Sequence, residues 1–141
     1  MRAIKTSTHL TADASLVRDI QGIASFTGLS LSSCVEAMLL MISRMCELEG
    51  DQVVYDMRRL KAERLLKMPS LKAFPPKSRC HLCLSKEALS FAQLLHQTYP
   101  PVFGCTGEVI ELCMLYCRGM CGDDKRLRYL SRRLLDISRA E

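Results

Sequence analysis

The sequence predicts a mainly α-helical fold with one short two-stranded antiparallel β-ribbon, built from a chain that is written twice. Stepping 74 residues forward from Leu10-Thr11 meets Leu84-Ser85, and the same step from Val35 meets Val109. Each copy opens on a polar and apolar alternation that reads as a strand, Ile4-Lys-Thr-Ser-Thr-His-Leu10 and Arg79-Cys-His-Leu-Cys-Leu84. Two stretches of helical period follow each opening, and then a third, basic one. A short strand cannot satisfy its own backbone hydrogen bonds, and a lone ribbon is marginal without helices beneath it. Two copies in one chain supply the two strands.

The division that follows is a first unit over residues 1–68, a proline-rich linker over 69–78 and a second unit over 79–141. Units of about 70 residues are small to bury a core alone, so the two are expected to share one.

In the first unit Thr11 can cap a helix over about 12–27, with Asp13 in its first turn and Leu16, Ile20 and Ile23 on one face. Gly28 stops it, and Leu29-Ser-Leu-Ser-Ser33 offers several caps for the next helix. Val35, Met38, Leu39, Ile42, Met45 and Cys46 give that second helix a wide apolar stripe, which Leu40 and Met41 widen until most of its sides are buried. Glu49-Gly50-Asp51 interrupts, and a third helix over about 52–68 shows Val54, Met57, Leu60, Leu65 and Met68 before Pro69 ends it. The linker's three prolines favour an extended chain, long enough to carry the second strand back beside the first. In the second unit Ser85 is the cap, Glu87 lies in the first turn, and Ala88, Phe91, Ala92 and Leu95 share a face. Tyr99-Pro-Pro-Val-Phe-Gly-Cys105 replaces the short Gly28 turn. Thr106 then begins a helix to about Cys121, and Leu127, Leu130, Leu134 and Ile137 define a last amphipathic one.

A net charge of +5 permits a polyanionic partner without demanding it. The cations gather in the third helices, at Arg58, Arg59, Lys61, Arg64 and Lys67 and at Lys125, Arg126, Arg128, Arg132 and Arg133, where a solvated face and phosphate contact compete as explanations. Hydrophobic residues are 48% of the chain, yet no stretch approaches the roughly 18 uninterrupted apolar residues of a membrane span. The start lacks a signal peptide's apolar run, so the expected place is the cytosol, with no membrane partner. Eight cysteines there read as small buried hydrophobes before disulfides. Cys80-x-x-Cys83 looks like half a metal site, but positions 80 and 83 of a strand point to opposite faces. Cys113, Cys117 and Cys121 recur at core spacing. No cofactor is expected, nor a metal.

Strand, polar cap, helix, Gly28-x-Ser30-x-x-Ser33-x-Val35, helix: this order resembles the ribbon-helix-helix family, of which the methionine and Arc repressors are members. The resemblance covers roughly residues 4–48 and, more loosely, 78–121, where Val102 stands in place of the turn glycine and Gly104 and Gly107 in place of the serines. It implies two ribbon-helix-helix units forming a pseudo-dimer within one chain, each with an extra third helix. It also implies sequence-specific binding of double-stranded DNA by a ribbon in the major groove, in a transcriptional regulator or an accessory protein of plasmid transfer. By position, the base-reading side chains are Lys5, Ser7, His9, Arg79, His81 and Cys83, and the inward ones Ile4, Thr6, Thr8 and Leu10 with Cys80, Leu82 and Leu84. The chemistry stands on its own: Lys and Arg donate to guanine, Ser and His bond most base edges, and Cys83 offers a small apolar contact to a thymine methyl. Phosphate contacts are expected from the starts of the second helices, at Ser30, Ser32, Ser33, Thr106 and Gly107, and from Arg132 and Arg133. The serines have a rival use as caps, and a polar outer strand face can simply be solvated.

Because Lys, Ser and His on one strand meet Arg, His and Cys on the other, the preferred DNA site is expected to be asymmetric. Two other classes remain open. One is an interaction module that keeps the fold without DNA binding, with self-association or a protein partner; the other is a cysteine-based metal or redox protein. Enzyme activity is not expected, since His9, His81 and His96 and the acids form no nucleophile, base and orienter set.

Overall fold

The computed structural model describes residues 5–66 and 76–140. In chain order they form β1 (Lys5–Asp13), α1 (Ala14–Thr27), α2 (Leu31–Glu49), α3 (Gln52–Leu66), β2 (Lys77–Ser85), α4 (Lys86–Thr98), α5 (Thr106–Gly119) and α6 (Asp124–Arg139). A strand followed by three helices occurs twice. Ile4, the expected end of the third helix at Met68 and most of the expected linker lie outside the described residues.

β1 and β2 pair antiparallel from Lys5↔Ser85 to Asp13↔Lys77. Both strands run longer than the alternation predicts. The extension of β1 corrects the first cap: Thr11 lies within the strand opposite Arg79, and Asp13 caps α1, its carboxylate accepting from the Ser15 N–H at 2.8 Å. Pairing with β2 holds Thr11 extended, so the helix starts two residues later than expected. Downstream, the Ala14 N–H donates to the Pro76 carbonyl at 2.8 Å, which ties the start of α1 to the entry of β2.

Gly28 ends α1 with φ of 81° and accepts no Cβ without strain there. Its N–H and that of Leu29 close back on Ala24 and Ser25, satisfying the last carbonyls of the helix. Ser30 then caps α2, its Oγ accepting from the Ser33 N–H at 3.1 Å. α2 is buried without a break from Cys34 to Ile42 and packs against β2 and the five other helices. It is the axis of a single contiguous core. The helices of the two halves interleave around it, α6 resting on α1 and α2, and α3 on α2 and α5.

The second half departs from the first at its turn. Tyr99 accepts the N–H groups of Val102 and Phe103, and the loop sends the Phe103 side chain fully into the core. His96 Nδ1 meets the Phe103 carbonyl at 2.8 Å. Ser85 caps α4 as expected, and Ala88, Phe91, Ala92 and Leu95 are buried. α5 begins at Thr106 but ends at Gly119, short of Cys121. In α3, Val54 and Met57 are buried whereas Leu65 is 61% exposed.

Two cations of α3 cross between the halves. Lys61 Nζ donates to Glu108 Oε1 at 2.6 Å and to the Val102 carbonyl at 2.8 Å. Arg64 bridges Glu111 at 2.6 Å and Asp13 at 3.3 Å. Both were expected on a solvated or phosphate-binding face; acids from the other half draw them inward instead. Burial acts to raise the Glu108 carboxyl, but the Lys61 hydrogen bond, the Gly104 N–H and the Lys61 charge outweigh it and hold the group below the ordinary glutamate value. No single described helix is long and apolar enough to cross a membrane; α1 and α2 reach that length and composition only jointly, across a bend of 94°.

Two outcomes follow from this packing. Leu82 is fully buried beneath the ribbon, and Leu82→Ala should cost about 2–5 kcal/mol, read from the denaturant midpoint. Because the folded Glu108 value is depressed, its contribution is complete above about pH 4.3, the unfolded value, and is lost as pH falls through the folded one. Lys61→Met should flatten that acid limb in a pH series of thermal melts.

Candidate nucleic-acid interface

The ribbon has one covered and one open face. Leu10 and Ala12 of β1 and Cys80, Leu82 and Leu84 of β2 are buried against the helices. Thr6, expected inward, is exposed although its cross-strand partner Leu84 is fully buried, and Thr8 is half-buried. The outer face carries the cross-strand pairs Lys5↔Ser85, Ser7↔Cys83, His9↔His81, Thr11↔Arg79 and Asp13↔Lys77. Lys5, Ser7, His9, Arg79 and His81 are exposed as expected, whereas Cys83 is half-buried. Thr11 and Lys77 join them, two residues that a strand read as shorter had left out.

The cause of the Cys83 burial is the start of α2, which covers the outer edge of β2. Ser32 Oγ accepts from the Cys83 N–H at 2.9 Å, and Glu36 Oε1 accepts from the Ser85 N–H at 2.6 Å. Ser32 and Glu36 are one helical turn apart and share a face. Glu36 is 4% exposed and its other oxygen takes the Lys5 ammonium at 3.2 Å. This carboxylate, unsuspected from the sequence, joins the ribbon end, the α2 start and one expected base reader. Its signal was visible: Glu36 is the one charged residue in the apolar run 34–42.

These bonds also fix the pairing type. Since the Cys83 and Ser85 N–H groups point away from β1, the outward pairs occupy non-hydrogen-bonded sites, where side chains come closest. At the middle of the face His9 and His81 lie with ring centroids 4.9 Å apart, and the Ser7 hydroxyl meets His81 Nε2.

The expected phosphate contacts divide. Ser30 Oγ accepts from the Ser33 N–H and donates to Ser33 Oγ at 3.0 Å, so its proton is engaged within the cap. Ser32 and Ser33 accept, and their own O–H groups remain to donate. In the second half, Cys105 occupies the cap position with no side-chain bond, and Thr106 and Gly107 are half-buried. A Cβ on Gly107 would stand 3.5 Å from Leu10, so the start of α5 lies close against β1. At the places of Ser32 and Glu36 stand Thr106 and Ile110, and among the described residues Thr106 makes no side-chain hydrogen bond. Arg132 is exposed and Arg133 half-buried, its guanidinium 5.9 Å from the Tyr129 ring. Thr27 Oγ1 donates to Ser131 Oγ at 3.0 Å, which sets these arginines beside the α1–α2 turn rather than on the strands.

Cys34, Cys80, Cys113 and Cys117 are buried, Cys46, Cys83 and Cys121 are half-buried, and Cys105 is exposed. Burial, with the neighbouring Cys121, pushes the Cys34 thiol up to about 12, and burial raises Cys80, Cys113 and Cys117 as well. Cys80 is covered by the core while Cys83 is on the outer face, so the pair does not converge. Among the described residues no three His, Cys, Asp or Glu side chains gather to hold a metal ion. No family model, no curated protein and no solved structure matches the chain.

Removing the Ser32 hydroxyl leaves the Cys83 N–H without its acceptor. Ser32→Ala should therefore cost about 1 kcal/mol and speed amide exchange at Cys83 relative to Leu82, measurable by hydrogen-exchange NMR.

Proposed function

We propose that the chain is a sequence-specific double-stranded DNA-binding protein of the ribbon-helix-helix kind, in which one chain supplies both halves of the dimer. The observation that carries this reading is the ribbon register. Thr8↔Leu82, next to the middle pair of the ladder, joins residues that are 74 apart, the spacing of the sequence repeat. A rotation about that pair exchanges Lys5 with Arg79, Ser7 with His81 and His9 with Cys83, as an intersubunit twofold would in a homodimer. The open face of polar side chains fits a major groove, and the α2 N-terminus beside β2 offers backbone N–H groups and the Ser32 and Ser33 hydroxyls to a flanking phosphate.

The two halves then read DNA unequally. Arg79 has no ion-pair partner among the described residues and supplies a guanine-reading fork, whereas its mate Lys5 is held by Glu36. The α5 start lacks the serine hydroxyls of α2. The favoured site is accordingly asymmetric, and a transcriptional regulator or an accessory protein of DNA transfer is the role such a protein fills. An interaction module is the second reading. It is favoured by a groove of about 270 Å³ between the end of α2 and α4, floored by Val54, Phe91 and Leu95, with Leu94 58% exposed at its edge.

Fluorescence anisotropy on duplexes from a binding selection separates the two. Arg79→Ala should cost about 1–3 kcal/mol on the selected site and relax choice at one position, while Arg132→Ala should weaken all duplexes alike and flatten the salt dependence. Absence of binding at both low and moderate salt, or a selected site that is a perfect inverted repeat at one chain per site, overturns the asymmetric DNA reading.

A further inference from the structure

We propose that His9 and His81 form a surface site for one divalent transition-metal ion of the zinc, nickel or copper type, at the middle of the outer ribbon face. The two residues are directly opposite in the register, at a non-hydrogen-bonded site, where facing Cα atoms stand about 4.5 Å apart. Their rings are exposed and tilted by 40°, with centroids 4.9 Å apart. An ion that holds imidazole nitrogens at about 2.0–2.1 Å places the centroids of two adjacent ligands roughly 4.5 Å apart at a right angle and roughly 5.2 Å apart at a tetrahedral angle. The observed spacing falls between them, the separation that two imidazoles on one ion require.

The neighbours agree with this assignment. A ligating histidine commonly has its second nitrogen held by a hydrogen bond that fixes tautomer and orientation. The Ser7 hydroxyl is in that position at His81 Nε2 and leaves Nδ1 as the ligand atom of that ring. Neutral imidazole is a good donor to zinc, nickel and copper and a poor one to magnesium or calcium, which sets the class of ion. Cys83 is on the same face, two residues from His81, but it is half-buried and three ligands do not converge. The ion therefore keeps solvent at its remaining positions. Arg79, two residues from His81 on the other side, adds a repulsive charge, so the site is one of modest affinity. It does not depend on the DNA reading and is tested on the protein alone.

The test is a titration with Ni²⁺ followed through the imidazole proton signals, paired with Zn²⁺ affinity measured by competition with a colorimetric chelator. The His9 and His81 signals should broaden together at substoichiometric Ni²⁺. Those of His96, whose Nδ1 is engaged with the Phe103 carbonyl, should stay sharp, and Zn²⁺ should reverse the broadening. His9→Ala and His81→Ala, both at exposed positions and checked for fold by circular dichroism, should each weaken Zn²⁺ binding at least tenfold. His96→Ala and Cys83→Ser should not. Broadening of one ring only, affinity unchanged in His9→Ala, or affinity lost only when Cys83 is replaced overturns the two-histidine site.

Discussion

The constraint on which the structure rests is the backbone pairing of β1 with β2. Neither strand has another partner in a sheet of two, so each must find its acceptors and donors on a segment between 64 and 80 residues away along the chain. That requirement brings the halves face to face, and the helices follow. Leu10, Ala12, Cys80, Leu82 and Leu84 then form the roof of the core, and α2 runs beneath it with its buried stretch from Cys34 to Ile42. A two-stranded ribbon also has two outer edges, whose unpaired amides invite other strands. On β2 the start of α2 closes that edge with one hydroxyl and one carboxylate.

The repeat is thus approximate in a physically meaningful way. Where the first half has Ser32 and Glu36, the second has Thr106 and a buried Ile110, and where the first has a tight glycine turn, the second inserts a loop that drives Phe103 into the core. Each change exchanges a polar contact or a backbone closure for apolar volume. The result is an outer face that differs at its two ends, with Lys5 held by Glu36 at one end and Arg79 exposed toward the other.

Much of the helical framework was legible because it is written locally. The apolar stripe of α2, the Ser85 cap with Glu87 behind it, and the face Ala88, Phe91, Ala92 and Leu95 need only the 3.6-residue period and the chemistry of orphan amides. The alternation that marked the strands also placed His9 and His81 on one face and Cys80 and Cys83 on opposite ones. What could not be read depends on partners distant in sequence. Thr11 and Asp13 are comparable caps in isolation, and the choice falls to Asp13 because β2 holds Thr11 extended. Lys61 and Arg64 look like solvated cations until the acids of α5 arrive beside them. Leu65 has a core residue's spacing yet lies exposed. Glu36 stood out as a charge among apolar residues, but the Ser85 amide and Lys5 ammonium that satisfy it come from other segments.

The long reach of the ribbon pairing has a bearing on biogenesis. Contacts so far apart in the chain give a slow search and a transition state that must close a large loop before it gains sheet hydrogen bonds. During synthesis the first strand and α2 emerge well before their counterparts, presenting an uncovered apolar helix and a lone extended segment to the surroundings. Two nascent chains held close together on one message could complete each other's sheets instead of their own, giving an exchanged dimer whose every contact is native.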